Sequence, residues 1–305
     1  MNLELTALNH SYGHGSVLKA YAHLPPWLPL PFAVQHGWMG IETSMECAAE
    51  AVSGLPAVWT WTPEVASAYQ RYGIAAFAGG APFLYLHAAA TPHLEMIPRR
   101  GTLAFPIHGT ARVQLSGDFV GYIDSLCALP ARFQPLAFCL HPNELGGPLH
   151  RHLQTRNLSV VSNGPPKSPG FLSRYQANVR QRSFVTSNVL STALFYAAFL
   201  GIPAFLFGTE FRLDNIFDPH VPKGQLHLRP DLVEELRPVF GMEALGHQAA
   251  QRAAVARQLG VEHMLSRDEI RRRVLDLLPR LPSRRLLAAI ARRIGRAVRC
   301  SVAGG

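Results

Sequence analysis

The sequence predicts an α/β protein made of two doubly wound parallel sheets that face a cleft. Three observations lead there. Short apolar runs alternate with stretches of about 10–13 residues at helical period, the pattern of strands joined by crossover helices. The runs are apolar throughout, with no in-out alternation, as strands covered on both faces require. The alternation occurs as two series that meet near residues 90–100, and 305 residues suffice for two domains.

In the first series FAVQHGW (32–38) reads as a strand ending in a glycine turn, TSMECAAEAV (43–52) as a helix and AVWTW (57–61) as a strand. PEVASAYQRYG follows Thr62 as a helix with Pro63 at its first position and Gly73 past its end. AAFAGG and FLYLHA are apolar and read as strands. In the second series TLAFPIHG (102–109), PLAFCLHP (135–142), LSVVSNG (158–164), SFVTS (183–187) and PAFLFG (203–208) read as strands. YIDSLCALP (122–130), GPLHRHLQTRN (147–157), SPGFLSRYQANVRQ (168–181) and VLSTALFYAAFLG (189–201) read as the helices between and around them. The handedness of such crossovers places every strand-to-helix loop on one edge, where doubly wound sheets bind ligands. Those loops are PIHG, LHPNELGG, SNGPPKSPG and TSN. The expected organisation is a first Rossmann-like domain over residues 1–97, a second over 98–265 and a basic segment over 266–305.

Composition removes several classes. No run reaches the roughly 18–20 apolar residues of a membrane span. Met1 opens on a mixed stretch without the basic and apolar regions of a signal peptide. Cys47, Cys127, Cys139 and Cys300 show neither paired nor metal-like spacing, which fits a reducing cytoplasm. The net charge is +9, and the segment from Arg267 to Arg299 alone holds eleven arginines against Asp268, Glu269 and Asp276. A nucleic-acid binder spreads basic residues and stacking aromatics across its fold, so no nucleic-acid partner is expected. There is no P-loop, no GxGxxG after a strand, no HExxH, CxxC or GxSxG. His10 with His14, and His150 with His152, make incomplete pairs, so no metal is expected.

Two constellations carry chemistry. In FVTSNVLSTALFYAAFLG, Ser187 or Asn188 is placed to cap the helix, yet Ser191 and Thr192 also crowd its first turn. A cap needs one side chain. A helix N-terminus also offers unpaired N–H groups and partial positive charge to a phosphate, so capping and anion binding both stand. In CLHPNEL, Pro142 stops the strand and fixes His141 at the ligand edge, where an imidazole can donate to a phosphate oxygen or act as a loop residue bonded to backbone. Asn143 in the same loop and Gly164 in the next complete this donor-side set. From the opposite wall come His36 and Glu42, either of which can serve as general base.

The HP that ends one strand, the TSN that ends a later one, and the helix and strand TALFYAAFLGIPAFL together resemble the nucleotide half of bacterial GT-B transferases. They are similar to those using CMP- or CDP-activated donors: sialyltransferases, Kdo transferases and teichoic-acid glycerophosphotransferases. QHG (35–37) is similar to a His-Gly pair in the last group. GTLAFPIHG, SRY and TSNVLSTALFYAAFLGIP also resemble proteins of capsule and O-antigen clusters, and the resemblance spans residues 30–210. The acidic triplet ending in Gly found in several sialyltransferases is missing, and Asn188 stands where an SS pair has its second Ser. The resemblance implies a GT-B-like fold with an acceptor-side first domain and a donor-binding second domain. It implies that His141 contacts the donor phosphate, that Ser187, Asn188, Ser191 and Thr192 hold the phosphates, and that His36 faces them. The implied function is metal-independent transfer of a sugar from a nucleotide-sugar donor to a surface polysaccharide or its lipid-linked precursor, with no cofactor beyond that substrate. A non-catalytic GT-B-like scaffold of a polysaccharide assembly complex and a CDP-alcohol phosphotransferase are the alternatives.

SRRLLAAIARRIGRAVRC (283–300) places Leu286, Leu287, Ile290, Ile294 and Val298 within one third of a helical circumference, with arginines on the other side. Such a helix suits an anionic leaflet, so a cytoplasmic protein, peripheral on the inner face of the plasma membrane, is expected.

Overall fold

The computed structural model describes residues 3–41, 43–89 and 98–281. Glu42, the 90–97 segment at the expected domain boundary and the basic stretch 283–305 lie outside the described residues. The chain enters through a 3-10 segment (Ala7–Gly13) into α1 (His14–Tyr21), then β1 (Phe32–Val34), β2 (Ala57–Thr60), α2 (Pro63–Gln70), β3 (Ala76–Ala78) and α3 (Pro82–Ala89). β1, β2 and β3 form a three-stranded parallel sheet in that order, with Phe32 opposite Ala57 and Val58 opposite Ala76.

The second series runs β4 (Thr102–Ala104), β5 (Val113–Ser116), α4 (Phe119–Cys127), β6 (Leu136–Cys139), α5 (Pro148–Thr155), β7 (Ser159–Val161), α6 (Phe171–Arg180), β8 (Phe184–Ser187), α7 (Thr192–Phe199) and β9 (Ala204–Leu206). The large sheet has the order β7-β6-β4-β8-β9 and is parallel throughout. This is the Rossmann-like order, which reverses direction between β4 and β8. The fold is thus the α/β class expected, with two parallel sheets.

Two readings of local structure are corrected. FLYLHA belongs to α3, not to a strand. TSMECAAEAV forms two 3-10 turns, Met45–Cys47 and Ala51–Ser53, separated by extended Ala48 (ψ 143°). Its Glu50 is buried and its carboxylate accepts from His36 N at 2.8 Å, which turns this stretch inward. A third sheet appears as well: β5 pairs antiparallel with β10 (Arg212–Asn215), which pairs with β11 (Gly224–Gln225). The chain beyond β10 straps across to the first sheet's loops. Thr43 Oγ1 donates to His220 O at 3.0 Å, Arg229 N donates to Gly40 O at 2.8 Å, and Ile41 bridges Leu228.

α7 is the axis of the molecule. It is apolar on every side, as a helix enclosed between two sheets must be. Phe195 meets Trp38 and Phe240, while Tyr196 meets Trp61 and stacks on Phe83 at 4.1 Å. One core therefore runs from Trp59 and Phe83 of the first unit to Leu103 and Tyr175 of the second. After α8 (Pro230–Leu236), α9 (Gln248–Leu259) lies along α7, and α10 (Arg267–Leu277) returns to the first unit. There Ala81 N donates to Leu259 O, Leu265 N to Tyr85 Oη and Arg271 Nε to Ala22 O. Gly260, in the left-handed region (φ 69°), ends α9 where a side chain would strike the Trp61 carbonyl. No helix among the described residues is long and apolar enough to cross a membrane.

Candidate functional site

The carboxyl edges of the two sheets meet, and what they bring together is imidazole. His36 leaves β1, His108 follows β4 and His141 follows β6. The rings of His108 and His141 stack at 4.1 Å between centroids and 5° from parallel. His36 is close enough to oppose protonation of both.

Each histidine's loop is held by its own network. Ser187 Oγ donates to Phe105 O at 2.7 Å and Ile107 N donates to Asn188 Oδ1 at 2.9 Å, which fixes the exit of β4 against that of β8. Gly109 N donates to Glu144 Oε1 at 2.9 Å, tying the His108 loop to the His141 loop. On the other wall, Glu50 receives His36 N on one oxygen and the Tyr69 hydroxyl on the other. Buried Asn9 grips β1, accepting from Val34 N at 2.9 Å and donating to Phe32 O at 2.8 Å. That grip sets Tyr12 against His36, with ring centroids 4.9 Å apart, and against Phe171 at 4.8 Å. Tyr12 sits in the left-handed region (φ 53°), a conformation that costs about 1 kcal/mol or more in a residue with a Cβ. Its ring contacts hold it there.

All four histidines of this region are kept neutral. His108 falls from 6.5 to about 3, first through desolvation and then through His141 and His36. His141 is lowered by desolvation and by His36. His14, wholly buried behind Tyr12, falls to about 3 by desolvation and by its repulsion with His36, against a hydrogen bond to the Gln35 backbone. His36 is lowered by desolvation, and Glu50 opposes the shift. His36 is nonetheless exposed to solvent.

The other expected residues take different places. Ser187 and Asn188 do not cap α7. Ser191 does, accepting from Leu194 N, because the chain runs through Val189 and Leu190 before the helix turns begin. Ser187 is fully buried and Asn188 nearly so, and Asn188 Nδ2 donates to Thr209 O. Their polar atoms serve the backbone of neighbouring loops. Thr192 Oγ1 accepts from Trp38 N at 3.2 Å, so the 37–38 turn covers the start of α7. Asn143 N donates to His141 Nδ1 at 3.2 Å. Gly164 (φ 74°) lies against the guanidinium of Arg174, which a side chain there would strike. Glu42 is outside the described residues.

No family model matches the chain. No curated protein matches it either. Among solved structures it is similar to a protein assigned as a UDP-N-acetylglucosamine 2-epimerase from Listeria monocytogenes, at 12% identity and a TM-score of 0.35. The match covers 72% of this chain and 57% of that one. A superposition that loose is no argument for kinship or activity.

The sequence singled out His141 and His36, weighed His14 only as half of an incomplete metal pair with His10, and passed over His108, Tyr12 and Glu50. His108 had a usable signal, since PIHG and CLHP each end a strand of one sheet with a histidine. Tyr12 and Glu50 had none, because only the fold brings them to residue 36. A cavity of about 590 Å³ lies away from the histidines at the exit of β9, lined by Leu206, Val233, Glu234, Arg237, Met242 and Glu243. A smaller one of about 170 Å³ continues it past Val189 and Leu190. Glu234, Arg237 and Glu243 line the first and Glu210, His227 and Arg237 the second, and neither is lined by His36, His108 or His141. Among the described residues no group of three or more His, Cys, Asp or Glu could hold a metal ion.

Proposed function

We propose that the protein is a glycosyltransferase that moves a sugar from a nucleotide-activated donor to a surface polysaccharide or its lipid-linked precursor. One observation carries the reading: His36 from one sheet opposes the stacked His108–His141 pair from the other, at the edge where doubly wound sheets bind ligands. Imidazoles of this kind supply hydrogen-bond donors to a phosphate without a metal. The acceptor hydroxyl attacks the anomeric carbon while the bond from that carbon to the phosphate oxygen breaks, its electron pair leaving on the nucleotide. The hydroxyl proton passes to His36, neutral at pH 7, and the nearby Glu50 carboxylate favours the imidazolium that forms.

A thermal-shift screen with CMP, CDP, UDP, GDP and dTDP tests this. One of them is expected to stabilise the protein, by about 2.7 kcal/mol at one hundred times its Kd. His141→Ala is expected to weaken that nucleotide at least tenfold, the loss of a hydrogen bond to a charged group. His36→Ala is expected to abolish transfer with nucleotide affinity retained. The covering of the α7 N-terminus by Trp38 favours a second reading, a non-catalytic scaffold, and stabilisation by none of the five nucleotides would decide for it.

A further inference from the structure

His108 and His141 are stacked but not equivalent. Asn143 N–H points at His141 Nδ1 from 3.2 Å, and a backbone N–H can only donate. His141 Nδ1 is therefore an acceptor, and the neutral ring carries its hydrogen on Nε2. A second proton on His141 would break the Asn143 bond. His108 has no hydrogen-bond partner among the described residues, so either of its nitrogens can take a proton at no such cost.

The surroundings offer the stacked pair no counterion of its own. From the first sheet's wall comes His36, backed by His14 and Glu50, with the Tyr12 ring against it. Glu50 is engaged by His36 N and the Tyr69 hydroxyl. On the β6 loop stands Glu144, with Oε1 taken by Gly109 N–H. Neither carboxylate forms an ion pair with the His108 or His141 ring among the described residues. Two parallel rings at 4.1 Å cannot both be charged without strong repulsion. One proton is the most the pair holds, and it needs an anion from outside.

We infer that His108 and His141 form a two-imidazole receptor for a phosphate group, in which His141 donates from Nε2 and His108 takes up a proton as the phosphate binds. This rests on the proposed nucleotide site and adds that the doubly charged phosphate, more than the sugar, sets affinity through a proton drawn from solvent. Binding then strengthens as pH falls, by up to tenfold per pH unit for one proton.

Isothermal titration calorimetry with CMP, UDP and inorganic pyrophosphate, run near pH 7.5 in HEPES and in Tris, reads the proton directly from the difference in buffer ionisation heat. A phosphate monoester is already ionised there, its second pKa being about 6, so CMP brings no proton of its own to release. The expected result is uptake of roughly half a proton or more per nucleotide, with pyrophosphate binding as well, since phosphate is what they share. His108→Asn keeps a donor but cannot charge, and is expected to bind with no proton uptake and a flat pH profile. His141→Asn is expected to bind more weakly with the pH dependence kept. Binding by the wild type without proton uptake would overturn the inference and leave the nucleotide site standing. So would a His108→Asn variant that keeps the wild-type proton count. Failure of all three ligands to bind would overturn the inference, and stabilisation by none of the five nucleotides would overturn the nucleotide site with it.

Discussion

The Ser187 hydroxyl is wholly buried, donating to Phe105 O at 2.7 Å and accepting from Val189 N at 3.4 Å. Ser187→Ala leaves that carbonyl and that N–H without the bonds, at a cost of about 1–3 kcal/mol. The melting temperature is expected to fall by roughly 2–8 °C, with nucleotide affinity nearly unchanged. Collapse of affinity at constant melting temperature would place the hydroxyl on the ligand instead. This residue also marks a limit of reading a chain. A cluster of hydroxyls before a helix looks the same in sequence whether it faces a phosphate or stitches two strand exits together. Burial separates the two, and burial belongs to the fold. His141 was legible because Pro142 forces the strand to stop. Tyr12 was not, because its place beside His36 comes from Asn9 gripping β1 across more than twenty residues.

Among the elements, α3 explains why a short apolar run misleads. PFLYLHAA is apolar all round, so it carries neither the alternation of a half-buried strand nor the stripe of a surface helix. What makes it a helix is its partners. Phe83 stacks on Tyr196 of α7, and the Tyr85 hydroxyl donates to Gly79 O at 2.5 Å and accepts from Leu265 N at 2.7 Å. Tyr85→Phe removes both bonds in the core and is expected to cost about 1–3 kcal/mol, read as a shift in the urea midpoint at constant slope. A variant as stable as the wild type would mean that the Tyr85 bonds add nothing to the packing there and to the Arg271 bond to Ala22 O. The β5-β10-β11 sheet escaped notice for another reason. Its strands are two to four residues long and mostly exposed, and they pair antiparallel across a hundred residues of chain. By contrast, the long helices and the continuous strands of the large sheet were legible, since both faces of that sheet are covered.

At the scale of the whole molecule, charge and core are separated. The arginines after residue 280 form a basic stretch whose expected helix would set six arginines against an apolar stripe. Vesicles rich in phosphatidylglycerol are expected to sediment the full chain at low salt, each arginine near the surface contributing about 1 kcal/mol. High salt, or deletion of residues 283–305, is expected to release it. Equal sedimentation of the full and shortened chains would assign the binding elsewhere. The core, meanwhile, ties the last described helices to the first sheet: Leu265 N reaches Tyr85 across 180 residues, and Arg271 reaches Ala22 across 249. On a ribosome adding about 5–20 residues per second, the first of those contacts waits roughly ten to forty seconds after Tyr85 is made. The sheet synthesised first is therefore completed last, and its uncovered apolar face is the surface a chaperone would meet on the nascent chain.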